Sequence, residues 1–131
     1  MAAKSFTDLE VWKTGHALVL IVYKIVRSFP KEELYGLTSQ MKRSSASVTA
    51  NIAEGFGRNG SREKEQFYLI ASGSLYELKD QLLIGRDVDY ISHEDFEHVA
   101  ELANKCHAQL HALLLTHRSI RASTFERRDS K

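Results

Sequence analysis

Residues 38–58 read TSQMKRSSASVTANIAEGFGR, and the spacing inside that stretch decides the fold. Leu37, Met41, Ser44, Val48 and Ile52 recur at steps of three or four and share one helix face. A polar row, Gln40, Arg43, Ser47, Asn51, Glu54 and Arg58, is displaced by one residue and lies about 100° round the helix. Between the rows sit Ser45, Ala46, Ala50 and Ala53, small enough for a second helix to approach closely. Two readings of the polar row stay open. One is surface polarity plus an intrahelical Glu54–Arg58 pair, acid first. The other is a polar ladder at the core's edge that fixes helix register or subunit contacts.

Upstream, Thr7 and Glu10 form a T-x-x-E capping pattern, with Phe6 and Val11 placed as a hydrophobic staple, so helix one is expected to start at Thr7. Leu9, Trp12, His16, Val19, Tyr23 and Val26 then step as a heptad seam, and Leu18, Val22, Ile25 and Phe29 form a second seam beside it. Pro30 closes this helix. Lys31–Tyr35 suggests one short turn before Gly36, and helix two covers about Leu37–Phe56.

Downstream, Gly57–Gly60 suits a turn with left-handed backbone. Ser61 is the expected N-cap of helix three, with Glu63 and Glu65 in the first turn, where the helix dipole favours anions. That helix is expected to reach about Gly85, with Phe67, Ala71, Ser74, Leu78 and Leu82 on one face and Tyr68, Leu75, Tyr76 and Leu83 on others. After a connection over 86–91, Ser92 and Asp95 cap a fourth helix carrying Phe96, Val99, Leu102, Cys106, Leu110 and Leu113. Its pattern stops at His117. Four amphipathic helices on short links predict an all-α, up-down-up-down four-helix bundle over 1–117, with 118–131 a disordered basic tail. Helices one and three carry more apolar circumference than a lone bundle covers, so self-association is expected. Trp12, Leu18, Val22, Tyr68 and Tyr76 are the candidate interface residues.

The 131 residues suit one domain, and 43% apolar with 27% charged is ordinary for a globular chain. The formal net charge of +1 conceals an asymmetry: residues 117–131 carry +3 and residues 1–116 carry −2. A body of that sign weighs against tight nonspecific nucleic-acid binding and leaves room for a local patch. A single cysteine, Cys106, permits no intrachain disulfide and fits a reducing compartment. The start lacks the apolar region of a signal peptide, and no run approaches the length of a membrane span, so a cytoplasmic location without membrane contact is expected.

Several motifs have bland explanations that outweigh the sharper ones. Gly55–Gly60 matches G-x-G-x-x-G, yet a helix precedes it where a dinucleotide site requires a strand. Ser39–Lys42 and Ser61–Lys64 both match S-x-x-K, a pattern too cheap to imply serine catalysis. His107 and His111 share a helix face without the glutamate or third ligand of a zinc site. His16, on the heptad seam, reads as a core or interface histidine. Neither catalytic residue, metal, cofactor nor small-molecule substrate is expected. Arg43, Arg58, Arg62 and Lys64 are the candidate nucleic-acid-binding residues, placed around the turn between helices two and three.

The segments FTDLEVWK (6–13), FPKEELYGLTSQMKRSSASVTANIAEGFGR (29–58) and FYLIASGSLYELKDQLLIG (67–85) resemble the 23S rRNA intervening-sequence protein family, also called four-helix bundle proteins. The residues that carry the resemblance most specifically are Gln40, Arg43, Asn51, Ile52, Ala53, Glu54 and Gly55. The resemblance implies a bacterial, non-enzymatic four-helix bundle that assembles as a homopentamer. It implies RNA, a ribonucleoprotein or a nucleic-acid-processing protein as partner, because the family is named for reading frames inside 23S rRNA genes. A related branch works beside a reverse transcriptase as a basic pentamer, from which this nearly neutral chain departs. The alternative is a protein-interaction scaffold without a nucleic-acid role.

Overall fold

The computed structural model describes residues 2–129, with side chains through residue 124. All regular structure among them is helical: α1 Glu10–Ile25, α2 Leu37–Phe56, α3 Ser61–Asp87 and α4 His93–Asp129. Each helix packs on the next in sequence and α4 returns to α1, which gives the expected up-down-up-down bundle.

The apolar face anticipated for α2 is the buried one: Leu37, Met41, Ser44, Val48 and Ile52 all lie in the core. Each fully buried aliphatic side chain there contributes on the order of 2 kcal/mol. In α1 the second seam wins. Leu18, Val22 and Ile25, with Phe29 just beyond the helix, are buried; of the first seam Val26 is buried too, while Leu9, Trp12 and Val19 sit at the margin and His16 and Tyr23 are exposed. From α3 come Tyr68, Ala71, Leu75, Leu78 and Leu82, and from α4 Val99, Ala103, Cys106, Leu110 and Leu114. Burial pushes the Cys106 thiol up to about 11, so it behaves as a small apolar group.

The helix ends depart from the sequence expectation in four places. The first cap is Ser5, whose Oγ accepts from Thr7 N at 3.2 Å while Asp8 Oδ2 accepts from Ser5 N at 3.1 Å. This box closes a short turn over Phe6–Asp8, and α1 begins only after extended Leu9. Phe6 thereby lies edge-on to Trp12 at 5.4 Å. Gly57 and Gly60 both have negative φ, so the turn between α2 and α3 needs no left-handed residue; Gly60 takes the cap position and Ser61 is already helical. Left-handed backbone occurs instead at Asp89, φ 65°, after α3 has run to Asp87. Tyr90 and Ile91 both donate their amides to Gly85 O there, which turns the chain into α4.

The largest departure is the end of α4, which continues through Asp129 across the residues expected to be a disordered tail. Leu114 is buried past the last predicted apolar position, and ion pairs to α3 replace apolar contacts beyond it. The side chains of Arg127 and Arg128, and Lys131 altogether, lie outside the described residues.

Candidate functional site

The polar row of α2 divides along its length. Ser44, on the neighbouring apolar face, meets Gln81 of α3 at 2.6 Å, and Gln81 Nε2 donates to Glu77. One turn on, Ser47 and Ser74 hydroxyls lie 2.8 Å apart, with Asn51 Nδ2 donating to Ser47 O and Oγ. These groups form a ladder along the α2–α3 seam and fix its register, since a slip would leave buried polar atoms unpaired. Gln40, Arg43, Glu54 and Arg58 are exposed. Glu54 accepts from Arg58 at 2.7 Å, the pair that spacing predicted. Both readings of the row therefore hold, on different stretches of it.

The same seam explains the motif glycine. A Cβ on Gly55 would sit 2.6 Å from Tyr68 Cε1 and 3.1 Å from Phe67 Cβ, so α3 approaches α2 backbone-close at this point. Ile52 is core, and Ala53 sits at its margin.

The four candidate phosphate ligands do not form one patch. Arg43 and Arg58 are separated by about 22 Å of helix. Lys64 turns back to cap α2, its Nζ donating to Phe56 O at 2.6 Å and Gly55 O at 3.3 Å, and burial lowers its pKa. Arg58 is held by Glu54 and stacks over Phe67. Of these four, Arg62 and Arg43 stand exposed without an ion pair among the described residues.

The assigned interface set also changes. Leu18, Val22 and Tyr68 are buried within the bundle and cannot meet another copy. Trp12 is half-buried and stacks on His16 at 4.7 Å. Tyr76 remains, 64% exposed, with Leu69, Ile70, Leu83 and Ile84 on the same outward side of α3. Gly73 lies among them with open space where a Cβ would be.

Two clusters joining α3 to α4 escaped the sequence reading. Glu65 is 4% exposed, and its carboxylate meets two arginines: Oε1 accepts from Arg118 Nε at 3.2 Å, and Oε2 lies 2.6 Å from Arg121 Nη1. The second contact is an ion pair whose angle falls outside hydrogen-bond geometry. Tyr68 and His117 pack beside it, ring centroids 5.6 Å apart. Arg118 and Arg121 had been assigned to the tail; their spacing of three, on the face continued from Leu114, was the available signal.

In the second cluster Lys79 Nζ lies 2.6 Å from His107 Nδ1, and Ser72 Oγ lies 3.0 Å from His107 Nε2. An ammonium at Nδ1 can only donate, so the ring proton sits on Nε2 and is donated to Ser72. That polarity is opposite to the one that activates a serine, where Nε2 accepts the hydroxyl proton. Burial first, then Lys79 and His111, hold His107 below the usual histidine range, and it stays neutral as a strut between helices. His111 is exposed, and among the described residues no three His, Cys, Asp or Glu side chains converge as metal ligands.

The geometry thus defines a helical bundle whose buried polar contacts join neighbouring helices, and in which no described helix is long and apolar enough to cross a membrane. The chain belongs to the 23S rRNA-intervening sequence protein family, whose sequence pattern matches residues 7–112. Its fold is similar to that of a protein of unknown function from the S23 ribosomal protein family of Bacteroides thetaiotaomicron VPI-5482, with a TM-score of 0.72 and 19% identity. That alignment covers 79% of this chain and 97% of the other, and at such identity it speaks for the fold alone. None of the curated proteins compared matches.

Proposed function

We propose that the protein is a non-enzymatic, self-assembling binding module, a homopentamer whose partner is RNA or a ribonucleoprotein. The observation that carries the assembly is the outward side of α3. Leu69, Ile70, Tyr76, Leu83 and Ile84 expose large apolar surface over about four turns, and bare Gly73 leaves room for a close neighbour. Monomeric domains rarely leave such a stripe uncovered. Set head-to-tail against a different face of the next copy, this stripe builds a ring wherever the rotation between copies closes. The subunit number and the RNA partner come from the family likeness.

Light scattering on the purified chain gives the assembly mass, and the absorbance ratio at the same peak reports co-purifying nucleic acid. The substitutions Ile70→Glu and Leu83→Glu together are expected to yield a helical monomer. A wild-type chain that runs as a monomer at micromolar concentration defeats the assembly reading. Failure to bind structured RNA even at low salt defeats the RNA reading and leaves the scaffold.

A further inference from the structure

Three cations without an ion pair among the described residues lie at the end of α2 opposite the glycine-rich turn. Arg27 at the end of α1, Lys31 in the short turn and Lys42 on α2 line a groove of about 400 Å³. Its remaining walls are Val26, Phe29, Pro30, Leu34 and Thr38, and no carboxylate lines it. None of the three cations is in an ion pair among the described residues. Lys24 on α1 and Arg43 on α2, both exposed, add charge within three residues of Arg27 and Lys42 in sequence. The nearest acids in sequence, Glu32 and Glu33, are not among the residues that line it.

Aromatic surface accompanies the charge. Tyr23 is exposed and lies beneath Lys42, with Nζ 5.1 Å from the ring centroid. Tyr35, next to the groove residue Leu34, is 93% exposed. Within the bundle that ring contributes nothing to packing.

From this surface we infer that the groove between the end of α1 and the start of α2 binds a single strand of nucleic acid. Phosphates meet Arg27, Lys31 and Lys42, the apolar floor takes a base or sugar, and Tyr35 offers a stacking face. Stacking rings interleaved with cations along a groove are the working surface of sequence-tolerant single-strand binders. An acidic peptide would use the cations but gain little from the tyrosines, which is why the strand is the occupant the surface favours. The inference rests on the RNA reading proposed above and relocates its contact from the α2–α3 turn to the other end of α2.

The test is fluorescence anisotropy of the full chain with a labelled single-stranded RNA of about 12 nucleotides, at about 50 and 200 mM salt. Two double variants are compared, Arg27→Glu with Lys31→Glu and Arg58→Glu with Arg62→Glu, each checked for assembly mass and helicity. The first is expected to weaken binding at least tenfold and to lower the salt slope by about two. The second should change affinity less than threefold. Tyr35→Ala, at an exposed site that leaves folding intact, should weaken binding severalfold with the salt slope unchanged. Binding that survives the first pair and falls with the second overturns the groove and leaves the RNA reading standing. Equal competition by poly-glutamate also overturns it, in favour of an acidic protein partner. Should the unmodified protein bind no RNA at about 50 mM salt, the RNA reading fails and takes this site with it.

Discussion

At the scale of single residues, tolerance to substitution depends on which backbone lies opposite. Gly55 is the sharpest case, because its missing Cβ is the space in which Tyr68 lies. Tyr68 is 1% exposed and packs beside His117, so the ring has nowhere inexpensive to go. Gly55→Ala gains about 1 kcal/mol in helix propensity but forces overpacking that costs typically 1–3 kcal/mol. The expected net effect is a destabilisation of about 1 kcal/mol, read as a lower urea midpoint with unchanged slope. A variant as stable as wild type would mean that α3 shifts freely against α2, and the register ladder through Ser47 and Ser74 would lose its meaning. Gly73, with open space around it, should accept alanine in an isolated bundle without that conflict.

At the scale of helices, α3 and α4 are joined by neutral histidines, which makes their contact acid-sensitive. His107 and His117 are both lowered, chiefly by burial, with Lys79 acting on the first and Lys64 on the second against an opposing pull from Glu65. A histidine lowered in the folded state protonates more readily once unfolded. Its contribution is therefore present above about pH 6.5 and is lost as pH falls through that value towards the folded one. Urea midpoints are expected to fall between about pH 7.5 and 5.5, and His107→Gln, which can still bridge Lys79 and Ser72, should flatten part of that fall. An identical slope in the variant would remove His107 from the account. These helices also show what was legible in the sequence. Positions with apolar spacing, such as Leu37 to Ile52, were read correctly because burial imposes a period. The same period could not tell which of α1's two seams faces inward, since Trp12, Val19 and Tyr23 are apolar enough to serve either role. Contacts between a serine, a histidine and a lysine 35 and 28 residues apart leave no periodic trace at all.

At the scale of the molecule, the end of α4 decides whether 118–131 is an appendage or part of the bundle. The apolar pattern stops at His117, and a bundle read by hydrophobicity alone ends there too. Yet Glu65 is a buried carboxylate whose partners, Arg118 and Arg121, lie beyond that point. Removing them strands a charge away from water, the situation in which a broken ion pair costs most, commonly 3–5 kcal/mol. Both arginines are about half exposed, so solvent screens them and lets water reach the site, which discounts that figure. Deleting 118–131 is therefore expected to cost about 1–3 kcal/mol, a fall of roughly 3–10 °C in melting temperature for a domain of this size. Arg118→Ala with Arg121→Ala, at full length, should reproduce that loss and so assign it to the pair rather than to the segment beyond. Glu65→Gln in the truncated chain should restore part of the stability, because a neutral amide is far cheaper to leave buried than a carboxylate. If instead the truncated chain melts with the full-length one, the ion pairs contribute nothing net. The last turns of α4 would then be stabilised by local helix propensity alone, and the boundary near residue 117 would be the right one after all.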